Sequence, residues 1–217
     1  MRKTSYLVAL TFGVLTLILN ILSARRPDWL LTKSHSDILR TTITTSYGLY
    51  KRCDLTITSI PDPTAGGKLL YRKYECRKFP VQVTDRCEKE NRAFCAAWTS
   101  AGYLDQIAIG FASISLVAIL FGVSTHSRRR RIWRAVAVLV FLQAACQIAS
   151  FGLVTDNYRV GRYPPFDRAR PGSAYVMNIL SWTTSILIVL GVIITGISAD
   201  KGHRWAAGNR GYRRIEG

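Results

Sequence analysis

Tyr47-Gly48-Leu49-Tyr50-Lys51-Arg52-Cys53 lies inside a polar stretch, Trp29 to Cys95, that is rich in Thr, Arg and Lys and gathers Cys76, Cys87 and Cys95 before any long apolar run resumes. Arg26-Pro27-Asp28 introduces the stretch, and an apolar segment closes it at each end: residues 6–23 before it, residues 105–124 after it. Apolar runs of roughly 17 or more residues match the thickness of a bilayer core. The simplest reading is a disulfide-bearing loop, residues 24–104, hung between two membrane spans.

Composition agrees. Of 217 residues 48% are hydrophobic, and they fall in blocks. Several such blocks are hard to place in one soluble core, so the membrane class is expected. A formal net charge of +17 would ordinarily point to nucleic acid. Here the charge is divided among several loops, which favours topology signals and contact with anionic lipid, and no nucleic-acid partner is expected.

Residues 1–5, with Arg2 and Lys3, precede span one. A cleaved signal peptide shares the basic start and apolar centre, but its core is roughly 7 to 15 residues and wants a small residue where Leu22 stands. Span two, 105–124, leads into the connector 125–133, which holds Arg128, Arg129, Arg130 and Arg131 and adjoins Arg134, with no acidic residue in the cluster. Such a cluster in a short loop is retained on the cytoplasmic side; its rival reading as a nuclear-localisation or RNA-binding patch has little room between two spans. Span three, 134–154, carries Gln143 and Gln147 one turn apart on one face, which should point into a helix bundle, either to bond a neighbouring helix or to line a polar path. No charge is expected at the span centres, and Cys146 beside the amides reads as a buried free thiol. Residues 155–173 are turn-rich, span four is 174–197 with Asn178 near its start, and 198–217 is a basic tail suited either to anionic lipid or to solvent. Small residues recur four apart at Ala9 and Gly13, Ala118 and Gly122, and Ala145 and Ala149, a spacing that lets helices approach closely.

The basic start, Arg cluster and basic tail share one side, so both termini are expected in the cytoplasm and the cysteine loop outside it. Within that loop Thr41–Tyr50, Asp54–Ile60 and Leu69–Tyr74 read as short antiparallel strands, with a turn-rich run between Pro61 and Gly67. A small sheet is marginal alone, and four cysteines in an oxidising compartment would support it. Three pairings of Cys53, Cys76, Cys87 and Cys95 are possible. Free thiols or zinc are the alternatives, although no Cys-x-x-Cys or His-x-x-x-His pattern is present.

Trp29, then Gly48-Leu49-Tyr50 and Cys53, resembles the Trp … Gly-Leu-Trp … Cys … Cys signature of the claudin and peripheral myelin protein superfamily, with Tyr50 where that family has Trp. Glu75-Cys76-Arg77, Cys87 and Phe94-Cys95-Ala96-Ala97-Trp98 look more like the fungal claudin-like membrane proteins. The resemblance implies an all-α membrane protein, a left-handed four-helix transmembrane bundle with a small disulfide-linked extracellular antiparallel β-sheet. The loop between spans three and four could add a strand to it. It further implies Cys53 with Cys76, leaving Cys87 with Cys95. Trp29 and Tyr50 are expected between the sheet and the helix ends, each with one apolar and one wet side.

Two function classes follow. One is a non-enzymatic organiser of the plasma membrane or cell surface, acting through lateral or extracellular contacts with copies of itself or with other membrane proteins. For the fungal relatives, the resemblance implies membrane domains, cell-wall integrity, cell fusion or pH sensing. The alternative is a small transporter or channel subunit, with Gln143, Gln147 and Asn178 lining a path. An enzyme is the least expected: His35, His126 and His203 lie on different loops, and no nucleophile–base pairing, cofactor motif or metal set stands out.

Overall fold

The computed structural model describes residues 3–36, 41–61, 68–88, 90–124 and 129–203. Four helices carry the apolar runs: α1 (Lys3–Arg25), α2 (Arg92–Ser124), α3 (Arg129–Arg159) and α4 (Ser173–Asp200). All four are long and apolar enough to cross a membrane. Between α1 and α2 lie β1 (Leu30–Ser36), β2 (Thr41–Tyr47), β3 (Lys51–Pro61) and β4 (Lys68–Lys78), and between α3 and α4 the two-residue β5 (Arg170–Pro171). They form one antiparallel sheet in the order β4-β3-β2-β1-β5. β2 and β3 are built largely from Thr and Ile, whose branched side chains suit a pleated surface.

Three features go beyond the sequence reading. β1 was not foreseen, because Leu30-Leu31-Thr32-Lys33-Ser34-His35-Ser36 has no apolar alternation; its register with β2, Leu30 opposite Tyr47 through Ser36 opposite Thr41, fixes it instead. The second apolar helix extends back to Arg92, ahead of the expected span 105–124, since Phe94, Cys95, Trp98 and Ala101 recur at helical spacing and are buried. The stretch 155–173, expected to be turn-rich, begins within α3 and holds a 3-10 turn at Pro164–Phe166, and β5 is the strand that this loop was expected to be able to add. The turn-rich run beyond Pro61, residues 125–128 and the tail from residue 204 lie outside the described residues.

By its contacts the chain divides into two units, and every helix contributes to both. The first comprises Met1–Ile21, Asp105–Ile148 and Ile179–Gly217. Tyr6, Ile119, Trp133, Val136, Val140 and Val192 form its buried centre. Close approach depends on glycine here: a Cβ at Gly122 would lie 2.6 Å from the Tyr6 ring, and one at Gly196 2.5 Å from the Trp133 indole. Gly13 likewise faces Leu116, whereas Ala145 and Ala149 are exposed and bring no helices together.

The second unit comprises Leu22–Leu104 and Ala149–Asn178, and holds the sheet with the helix turns flanking it. Its core is aromatic, with Trp29, Tyr47, Phe79, Phe94, Trp98, Tyr163 and Phe166 in mutual contact or cluster. Phe94 stacks on Tyr163 at 4.4 Å between centroids and 5° between planes, and Tyr47 meets Phe166 edge-on at 5.0 Å. Such pairs contribute beyond the area they bury, by about 0.5–1.5 kcal/mol each.

Candidate functional site: a fastened sheet with an exposed ribbon, and a buried polar seam

Gly48-Leu49-Tyr50 turns the chain from β2 to β3, and each residue of that signature has a separate job. A Cβ at Gly48 would come within 2.7 Å of both the Arg26 carbonyl and Pro27 Cα, so only glycine fits. Its carbonyl accepts a hydrogen bond from the Trp98 indole at 3.2 Å, and its N–H donates to the Lys51 carbonyl at 2.8 Å. Leu49 is buried in the aromatic core. The half-buried Tyr50 donates its hydroxyl to the Gly102 carbonyl on α2. Trp29 differs from expectation: it is 0% exposed, so no face of it is wet. Its indole N–H donates to the Ser23 carbonyl at 2.8 Å, and Tyr175 meets its ring edge-on at 6.2 Å.

Two disulfides fasten the unit. Cys53 and Cys76 are register partners on β3 and β4 and are bonded to each other, with Cα atoms 4.1 Å apart. Cys87 is bonded to Cys95, which joins the segment after β4 to the first turn of α2. Beside that bond lies a polar pin. Arg77 grips Asp85 with both guanidinium nitrogens, at 2.6 and 2.8 Å, while the Val81 N–H and the Tyr163 hydroxyl donate to the same carboxylate at 2.8 and 3.1 Å. Burial works to raise the Asp85 carboxyl, but the Arg77 bonds, the Val81 N–H and the Arg77 charge outweigh it and hold the group below the usual carboxylate value. The Asp85 hydrogen bond correspondingly raises Arg77. Burial, then the Asp85 charge and hydrogen bond, push the Tyr163 phenol well above its ordinary value. Burial likewise raises Tyr47, although Arg52 opposes it from over the ring at 5.3 Å.

β4 is an edge of the sheet, and the β3–β4 ribbon beyond the disulfide is open on both faces. Leu70, Tyr71 and Tyr74 are about 60% exposed, at 62, 60 and 62%. Alternation places Tyr74 opposite Leu55, Arg72 opposite Ile57 and Leu70 opposite Ser59 on the face of the disulfide. The other face carries Tyr71 and Lys73, the latter 2.8 Å from Glu75. Along the exposed strand Leu70, Tyr71 and Tyr74 are interleaved with the charged Arg72, Lys73 and Glu75.

The helical unit contains the polar residues of the apolar runs. Gln147 Nε2 donates to Ser181 Oγ at 2.8 Å, Ser181 Oγ donates to the Thr16 carbonyl at 3.1 Å, and Gln143 Nε2 donates to Ser185 Oγ at 3.2 Å. α3, α4 and α1 are thereby joined by a buried seam. Among the described residues, Gln147 Oε1 and both amide atoms of the buried Asn20, one turn beyond Thr16, meet no hydrogen-bond partner. Asn178 is fully buried on α4, three residues before Ser181.

Four further placements bear on the sequence reading. Asp105, counted as the edge of span two, lies thirteen residues inside α2 and is fully buried, so the helices do carry an interior carboxyl. Cys146 is a free thiol but only half-buried. Arg128 lies outside the described residues; Arg129, Arg130 and Arg131 begin α3, and the exposed Arg134 lies over the Trp133 ring at 5.5 Å and 3.9 Å from Asp200. Asn20 and Asp105, each a polar residue in an apolar helix, were detectable signals; the pin of Arg77, Asp85 and Tyr163 gave none, because its members are far apart in a charged sequence.

Among the described residues no group of three His, Cys, Asp or Glu side chains is placed to hold a metal ion. No protein-family model matches the chain, and no curated protein matches it.

Proposed function

We propose that this chain is a non-enzymatic, claudin-like integral membrane protein with both termini in the cytoplasm and the cysteine-bearing sheet on the other side. It organises the plasma membrane or cell surface through contacts of that sheet with a second copy or another membrane protein. Membrane domains, cell-wall integrity, cell fusion and pH sensing are the processes such an organiser serves. The observation that carries this reading is the β3–β4 ribbon, fastened at its base by Cys53–Cys76 yet exposed on both faces with Leu70, Tyr71 and Tyr74. Aromatic side chains on a rigid support are the usual anchors of protein contacts.

The test is a tagged copy in its native cell, with Tyr71 and Tyr74 both changed to Ser. Loss of its lateral pattern and of its cross-links to neighbours, with unchanged expression and disulfides, is the expected result. An unchanged pattern would sink the proposal.

The alternative, a small transporter or channel subunit, draws on Asn20 and the Gln147 carbonyl. Against it, the donor groups of both glutamines are engaged by α4 hydroxyls, an arrangement suited to holding helices together. Solute flux in proteoliposomes that is abolished by changing Gln143 and Gln147 would decide for the alternative.

A further inference from the structure

β4 ends the sheet on one side, and every residue from Leu70 to Cys76 is exposed. Among the described residues, no backbone group of that run bonds outside the β3–β4 ladder. Its outward N–H and C=O groups form a template that a further strand completes.

Charge selects the strand. Asp54 and Glu75 are register partners on one face, where Arg52 and Lys73 lie 3.3 and 2.8 Å from them, and Arg77 on that face is held by Asp85. The disulfide face of the ribbon carries Lys51, Arg72 and Lys78, and no acidic residue stands on that face between Lys51 and Ser59 or between Leu70 and Lys78. Among the described residues these three cations meet no carboxylate. A second copy added antiparallel across the edge of β4 would continue the same face with the same three cations, so like charges oppose it. An anionic lipid or polysaccharide offers charge but no backbone ladder. An extended acidic peptide offers both.

We propose that the free edge of β4 takes up an acidic extended segment of another protein as an added strand. The proposal rests on the ribbon being the contact surface, as put forward above, and names the chemistry of its partner. Arg72 and Lys78 are six residues apart on one face, about 20 Å along a strand, so the segment carries carboxylates at that spacing with an apolar residue facing Tyr74.

The experiment places the full chain in phosphatidylcholine nanodiscs and titrates it with a fluorescent peptide of the length of β4, 11 residues, in which Thr and Val alternate and Asp replaces two Val six positions apart. Saturable binding that weakens with salt is expected. Changing Arg72→Gln and Lys78→Gln together should weaken it about two- to thirtyfold, the range for two exposed ion pairs, with both disulfides retained. N-methylation of the peptide nitrogens that face β4 should abolish it at unchanged charge. No saturable binding, equal binding of a peptide with Lys in place of Asp, insensitivity to N-methylation, or equal binding of a peptide copied from β4 itself would each overturn the proposal. Should one of these occur while the changes at Tyr71 and Tyr74 still disperse the protein in cells, the acidic strand falls and the organiser reading stands.

Discussion

The Asp85 carboxylate accepts four hydrogen bonds from three residues, and its stability contribution has a definite sign with pH. Its pKa is depressed in the folded chain, so the contribution is present above the unfolded value of 3.8 and is lost as pH falls through the lower folded value. Melting in detergent should therefore drop steeply with acid, and Asp85→Asn should melt lower at neutral pH but with a shallower acid slope; parallel slopes would contradict the pin. Trp29→Ala tests packing instead. It removes a fully enclosed ring and the bond to the Ser23 carbonyl, so a loss of about 3–5 kcal/mol is expected, read as a lower melting temperature and folded yield. The place of Trp29 near the sheet was legible because a lone aromatic after an apolar run needs cover. Its full enclosure was not, because Tyr175 and Ala174, which complete the surround, come from the far end of the chain.

The β3–β4 ribbon depends on its covalent link. Cys53 and Cys76 are 23 positions apart, for which the chain-entropy relation gives about 3 kcal/mol; Cys87 and Cys95 are 8 apart, worth about 2.5 kcal/mol. Replacing both members of one pair by Ala should lower stability in that order, and peptide mapping without reductant should recover these two linkages and an unlinked Cys146. Among the helices, Gln147→Met removes the donor to Ser181 and should cost roughly 0.6 to 1.7 kcal/mol, the range for hydrogen bonds between helices in lipid. Measured unfolding in micelles that shows no change would mean the seam is not a support. Strand and helix type were readable where composition repeats: Thr and Ile in β2 and β3, long apolar runs in the helices. Element ends were not. α2 reaches back to Arg92 because Phe94 and Trp98 pack into the aromatic core, and the bounds of β5 are set by the pairing of Leu30 with Pro171 and Leu31 with Arg170.

Orientation belongs to the chain as a whole. A cysteine placed at Ser127 should stay inaccessible to an impermeant thiol reagent in intact cells, whereas one placed at Tyr74 should react; the reverse pattern would invert the arrangement proposed above. The four apolar helices and the cysteine-bearing sheet between the first two were legible because hydropathy and charge act over long stretches. The division into two units was not, since each draws on three or two separate segments. That discontinuity sets an order of events during synthesis. Cys53 and Cys76 are both made before α2, so their bond can close as soon as the loop meets an oxidant. Tyr163, Phe166 and Ala169, which complete the aromatic core, are made only after α3. For that interval a closed Cys53–Cys76 bond would lock the nascent sheet while Tyr47, Phe79 and Phe94 lack their cover, an intermediate with exposed aromatic surface.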